Sequence, residues 1–238
     1  MVASHDHDLR NVALELQSIL LGAAGVEEFL VEVARRAAGP DTRGRSCGVT
    51  VRSGPESPLQ GAASDELARR MDDVQYAGGA GPSLQCLRDG AAVVVLDLAV
   101  AERGWPAFVR AGRQEGIRAV LSVPLRVPDR SVGALTLYHR RAGGLSAADQ
   151  SEASRFGDQA AGAVAMALLL ADREARERHL ETALRSRSTI DQAIGVLMGR
   201  DGTSAAEAFG MLRRRSQDTS VKLRDVAAAL IADVTRKG

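Results

Sequence analysis

"IDQAIGVLMGRDGTSAAEAFGMLRRRSQDTSVKLRDVAAALI", residues 190–231, contains no proline and divides into three helical phrases. With Ile190 at zero and 100° per residue, Ala193, Ile194, Leu197 and Met198 fall within about 80° of it and form an apolar stripe. Ser188, Gln192, Gly195 and Gly199 lie opposite, a second stripe of small and polar groups. Glycine in a helix interior costs about 1 kcal/mol relative to alanine, and the apolar stripe has no need of Gly195. The small stripe therefore predicts a surface that a partner approaches closely. Gly202 suits a left-handed cap, and Ser204 with Glu207 has the spacing of a capping box. A second helix is predicted over about Ala205 to Asp218, with Ala205, Ala208, Phe209 and Leu212 inward and Gly210, Arg213, Arg214 and Gln217 outward. Thr219 or Ser220 is expected to cap a third helix, whose Leu223, Val226, Ala227, Leu230, Ile231 and Val234 recur at helical intervals. Three such stripes make a bundle of roughly 50 residues, small enough that attachment to a preceding helix would help stabilise it.

That preceding segment, from Ala147 to Met198, is rich in Ala, Leu, Glu and Arg, and reads as one helix or two in near continuity, on the order of 75 Å if unbroken. Val164 to Leu170 is apolar nearly all round, as for a helix buried on a sheet or a second subunit. From Asp172 it turns charged, "DREARERHLE", with Ala175 and Leu180 as weak seam residues. A linker, a short coiled coil and a solvated helix all fit there.

All seven prolines lie before residue 129, where the pattern mixes helices with strands. Apolar residues at Leu9, Val12, Leu16, Ile19 and Leu20, then Val26, Phe29, Leu30 and Val33, predict two helices broken near Gly22 to Gly25. "SCGVTVRSG", "AAVVVLDL", "RAVLSVPLRV" and "SVGALTLYH" are β-rich runs, the last two forming a hairpin around "PDR". "SDELARRMDD" predicts a helix capped by Ser64, with Leu67 and Met71 on one face.

No stretch of 18 apolar residues exists, and "MVASHDHDLR" is polar, so a membrane span and a secretory signal are not expected and the chain reads as cytoplasmic. Cys47 and Cys86 make neither a disulfide framework nor a metal set, and His5, His7, His139 and His179 show no ligand spacing. Both cysteines are expected to be buried. The formal net charge is +1, but residues 185–238 carry ten Lys or Arg against six Asp or Glu, leaving 21 against 24 for residues 1–184. An acidic front joined to a basic back implies two jobs, the second facing phosphates unless the asymmetry is only solvated surface.

The C-terminal residues resemble an ANTAR domain, because I-x-Q-A-x-G-x-L-M, A-F-x-x-L-R and S-Q-x-x-x-x-K-L occur in order at the family's spacing. The resemblance implies a three-helix domain, often dimeric, that binds paired RNA hairpins with hexanucleotide loops and stabilises an antiterminator so that RNA polymerase reads through. Its motif positions fall on Gln192, Ala193 and Gly195, on Arg213 and Ser216, and on Lys222; helical phase adds Arg187, Arg214 and Gln217 as candidate RNA contacts. Arginine's planar fork suits phosphates and unpaired bases, while a solvated helix face is the plainer account of Arg213 to Arg215. Ile194 stands where many members have Lys, and Ser220 where Asn is frequent.

The front half is similar to a GAF domain, carried by "AASDELARRMDDVQYAGGAGPSLQCLRDGAAVVVLDL", "GWPAF" and "GIRAVLSVPLRV" with "VGALTLYHR". This is the pairing found in GAF–ANTAR antitermination regulators of actinobacterial type. The expected class is α+β: a GAF-like sensor domain at 1–170 with an antiparallel sheet flanked by helices, a helical linker or short coiled coil at 171–184, and a three-helix ANTAR bundle at 185–238. Tyr76 and Trp105 are candidates for lining a small-molecule pocket, or packing residues. No cofactor beyond an unidentified ligand and no metal is expected, and the front domain could instead serve only dimerisation or protein docking. No nucleophile, base and orienter can be named around Cys86 or Asp97, so no catalytic residue is expected. A DNA-binding factor is the alternative function, weakened because the last helix spends most positions on Ala and core aliphatics.

Overall fold

A computed structural model describes residues 12, 14–40, 44–54, 57–101 and 104–235; His5, His7, Leu9, Arg236 and Lys237 lie outside them. The chain separates into two compact units between Asp172 and Arg173.

In the first unit, residues 14–22 form helix α1 and Val26–Ala38 form α2, parted at Gly25 as the apolar spacing requires. A five-stranded sheet follows in the order β2-β1-β5-β4-β3, from β1 (Arg45–Val51), β2 (Gln60–Ala63), β3 (Val93–Val95), β4 (Ala119–Val127) and β5 (Arg130–His139). Every neighbouring pair is antiparallel. The β4–β5 hairpin closes around Pro128 and Asp129, with Val127 opposite Arg130. Strand periodicity splits the sheet into two faces. Cys47, Val49, Val51, Leu121, Val123 and Leu135 face one cluster with α1, α2 and α6 (Ala147–Asp201). The other face, carrying Thr50, Val120, Ser122, Ala134, Thr136 and Tyr138, is the more polar one, and Val120, Ala134 and Tyr138 pack with α3 (Glu66–Gly78), α4 (Pro82–Asp89) and α5 (Pro106–Gln114). Both cysteines are buried and free.

Three details depart from the sequence expectation. Asp65, not Ser64, caps α3 by accepting from the Ala68 N–H at 2.9 Å, because the Ser64 hydroxyl is drawn to the Cys47 N–H of β1. The "AAVVVLDL" strand shortens to Val93–Val95. Helices α4 and α5 and strand β2 were not anticipated: Pro82 and Pro106 open their helices at the first turn, where the missing N–H costs nothing, rather than breaking structure.

Helix α6 is a single element of 55 residues. Its last turns, with α7 (Ala205–Thr219) and α8 (Leu223–Thr235), build the second unit around Ala193, Leu197, Ala208, Leu212, Val226, Ala227 and Leu230. The capping box at Ser204 and Glu207 forms, and Gly202 takes φ 66°. Met198 and Phe209, expected inside, are 41% and 42% exposed, while Val196 and Met211 pack at the core margin instead. Ala205 and Val234 also face outward. Ser220 does not cap α8. At φ 54° it closes α7, with its N–H donating to Gln217 and the Val221 N–H to Ser216, while the Lys222 carbonyl accepts from the first turn of α8.

Candidate nucleic-acid interface

On α6, Ser188, Gln192, Gly195 and Gly199 are exposed, so the small stripe faces solvent along the second unit. A Cβ built on Gly195 or on Gly199 would meet nothing within 4 Å. The bundle itself imposes no glycine there. Ala193, one of the motif positions, is 0% exposed and packs in the bundle core with Leu197, Ala208 and Leu212.

On α7, Arg213, Arg214 and Gln217 are exposed. Arg213, Arg214 and Arg215 make no ion pair among the described residues, whereas Arg185, Arg187, Arg200 and Arg224 each have a carboxylate within 4.0 Å. The Arg214 guanidinium comes within 3.6 Å of where a Cβ on Gly210 would stand, so a larger residue would displace it. Ser216 is half-buried and donates to the Val221 carbonyl at 2.6 Å. Its hydroxyl thus donates into the α7–α8 turn. Lys222 is exposed just before α8, and the exposed Arg187 reaches Asp191 at 4.0 Å. The outward set is thus cations, an amide pair and glycines, a composition that suits phosphate oxygens and base edges.

In the first unit, Tyr76 and Trp105 both make packing contacts. The half-buried Tyr76 hydroxyl lies 2.8 Å from the Thr50 hydroxyl and stands over Gly61, and burial raises its pKa. Trp105, 7% exposed, meets Phe108 edge-on with ring centroids 6.4 Å apart. Neither lines the described surface clefts, which are bordered by the start of α6, by α5, and by α2 with Glu152.

A buried polar network between α3, α4 and β5 went unanticipated. Tyr138 donates to Asp72 Oδ1, Gln75 Nε2 donates to both Tyr138 (2.9 Å) and Asp72 (3.2 Å), and Gln75 Oε1 accepts from the Ser83 N–H and hydroxyl. Asp72 Oδ2 has no hydrogen-bond partner among the described residues and lies against Gly48, where a Cβ would come within 1.9 Å. Burial drives the Asp72 carboxyl up to about 7, opposed by the hydrogen bonds from Tyr138 and Gln75. The signal was present: Ala68, Met71, Asp72 and Gln75 recur at helical spacing, placing an acid and an amide on the buried face of α3. Burial pushes the Cys86 thiol up to about 12, and Asp97 holds Arg118 through two hydrogen bonds that help bring its carboxyl down to about 2. Among the described residues no helix is long and apolar enough to cross a membrane, and no His, Cys, Asp and Glu group is placed to hold a metal ion.

Comparison with known proteins agrees with the two-unit reading. Residues 20–165 match the GAF domain family and residues 178–231 match the ANTAR domain. No curated protein matches the chain. Among solved structures, the GAF domain of a phosphoenolpyruvate-protein phosphotransferase from Coxiella burnetii is 14% identical, over 71% of this chain and 96% of that one, with a TM-score of 0.49. The A. aeolicus nlh2 GAF domain in an inactive state is 16% identical over 69% and 98%, with a TM-score of 0.48. A type II free methionine-R-sulfoxide reductase from Thermoplasma acidophilum is 14% identical over 60% and 94%, with a TM-score of 0.45. ANTAR domains are RNA-binding antitermination modules and GAF domains are sensor modules; both are regulatory rather than catalytic. The chain belongs to the GAF domain family and carries an ANTAR domain in its C-terminal part.

Proposed function

We propose that this protein is a signal-responsive regulator that binds hexaloop hairpins in nascent mRNA and promotes transcription antitermination. The observation that carries the reading is the outward face of the ANTAR unit: among the described residues, Gly195 has no neighbour over it and Arg213 to Arg215 make no ion pairs. Unpaired guanidinium groups meet phosphates without first breaking a salt bridge, and a bare backbone lets a nucleic-acid strand approach within van der Waals contact. Arg187, Gln192, Gly195, Arg213, Arg214, Gln217 and Lys222 form the proposed contact set.

The functional division is a sensor at 1–170, a helical connector at 171–184 and the RNA-binding domain at 185–238. A homodimer fits two features of α6. Met166, Leu169 and Leu170 are exposed in its first-unit portion, and Leu180 and Leu184 are exposed four residues apart in its charged portion. Two copies would present two ANTAR units to paired hairpins, next to RNA polymerase on the emerging transcript.

Full-length protein and its Gly195→Glu and Arg213→Ala variants, titrated against RNA carrying two hexaloop hairpins, test the reading. Each variant is expected to weaken binding at least about 10-fold. Unchanged affinity in both would overturn the surface assignment, and preference for duplex DNA would favour a DNA-binding factor. The exposed face of α8 argues against that alternative, since Arg224 is paired with its neighbour Asp225.

A further inference from the structure

Phe209 is the single Phe, Trp or Tyr from Arg173 onward. Its phase predicted burial, yet it stands 42% exposed while Met211 takes the place at the core margin. One turn along α7 lies Arg213, exposed and without an ion pair among the described residues; one turn before it lies Ala205, exposed and too small to cover the ring. An aromatic residue is thus left 42% exposed one turn from a planar cation that has no ion pair among the described residues. An apolar protein partner would call for an apolar rim, whereas Arg213 to Arg215 and Gln217 supply a polar, cationic one.

We propose that Phe209 is a stacking platform for one unpaired RNA base, with Arg213 holding the phosphate of the same nucleotide. The inference rests on the RNA-binding reading above and deepens it by naming the nucleotide state that is recognised. Bases inside a duplex are stacked on both faces and offer none to a ring, so the ligand must be a loop base that has left its stack. Stacking is tolerant of base identity, so Phe209 would set the requirement for an unpaired nucleotide, and the outward amides would read its identity.

The test uses full-length protein and a two-hairpin, six-nucleotide-loop RNA with 2-aminopurine placed at each loop position in turn. Wild-type protein is expected to change the fluorescence of one position by stacking. Phe209→Leu, which keeps an apolar side chain without a π face, is expected to abolish that change and weaken binding about 10- to 100-fold. Phe209→Tyr is expected to retain both. Phe209→Trp adds a second reporter, since the wild-type protein's one tryptophan, Trp105, lies in the other unit. RNA should quench the new Trp, and this holds even if the Leu variant unfolds. Wild-type affinity in Phe209→Leu, or an unquenched Trp, with Arg213→Ala still impaired, would overturn the stacking role and leave the RNA reading standing. No effect of either Phe209→Leu or Arg213→Ala would overturn both.

Discussion

At Ser220 the backbone takes φ 54°, the one positive φ outside glycine among the described residues. A Cβ there crowds the following carbonyl, at a cost on the order of 1–2 kcal/mol that asparagine partly and glycine wholly relieves. Ser220→Gly is expected to stabilise the ANTAR unit by about 1 kcal/mol, read as a higher midpoint for its part of a thermal or urea melt; a lower midpoint would mean that the serine hydroxyl matters more than the strain. Asp72 acts in the opposite sense. Its carboxyl titrates near 7 in the fold against 3.8 unfolded, so the folded state prefers the neutral acid. Its contribution to stability is fully present below the unfolded value and is lost as pH rises from about 4 to about 7, up to roughly 4 kcal/mol at 1.4 per unit. The facing groups, Tyr138, Tyr76, Cys47 and the neighbouring Asp73, supply no cation to offset the charge. Asp72→Asn is expected to match wild type near pH 4 and exceed it by a few kcal/mol at pH 8. A wild-type minus variant difference that is flat in pH would sink the assignment.

Among the elements, α6 carries the sharpest contrast between stability and function. Gly195→Ala places a methyl in open space on a helix interior, so the ANTAR unit should gain about 1 kcal/mol. The same methyl stands on the proposed RNA face and should reduce affinity for hairpin RNA. Stability rising while affinity falls, measured by melting and titration on one preparation, separates a functional glycine from an incidental one; a stabilised variant with full affinity would show that RNA does not approach there. Helical periodicity made α6, α7 and α8 legible, because each buries one stripe and caps with residues of strong local preference. It failed at Phe209 and Met198, whose angles lie at the stripe's edge, where the neighbouring helix decides burial. In the first unit the alternating strands β4 and β5 were readable. Pro82 and Pro106 were read as punctuation though they open helices, and the four-residue β2 has too little alternation to register. Of the candidate site, Gln192, Gly195, Arg213, Arg214, Gln217 and Lys222 emerged exposed as expected. Ala193 and Ser216 did not, because a motif's spacing records fold and contact together and does not separate them.

For the whole molecule, the proposed function raises the question of how one ANTAR unit per chain would engage two hairpins. Leu180 and Leu184 are exposed on α6, among arginines and glutamates, with Glu181 paired to Arg185 across one turn. Two adjacent apolar positions four residues apart form the start of a seam, and a second copy of the same helix is the proposed occupant. If so, dimerisation converts capture of the second hairpin into an intramolecular event, and affinity gains orders of magnitude without a new contact. The double variant Leu180→Glu, Leu184→Glu puts four like charges into the seam of a dimer while leaving both cores untouched. It should sediment as a monomer, keep single-hairpin affinity within about 2-fold and lose about 100-fold or more on the two-hairpin RNA. Loss of single-hairpin affinity as well would mean that these leucines support the ANTAR fold itself. A variant that stays dimeric would place the interface on another surface, with the first-unit residues Met166, Leu169 and Leu170 as the next to change.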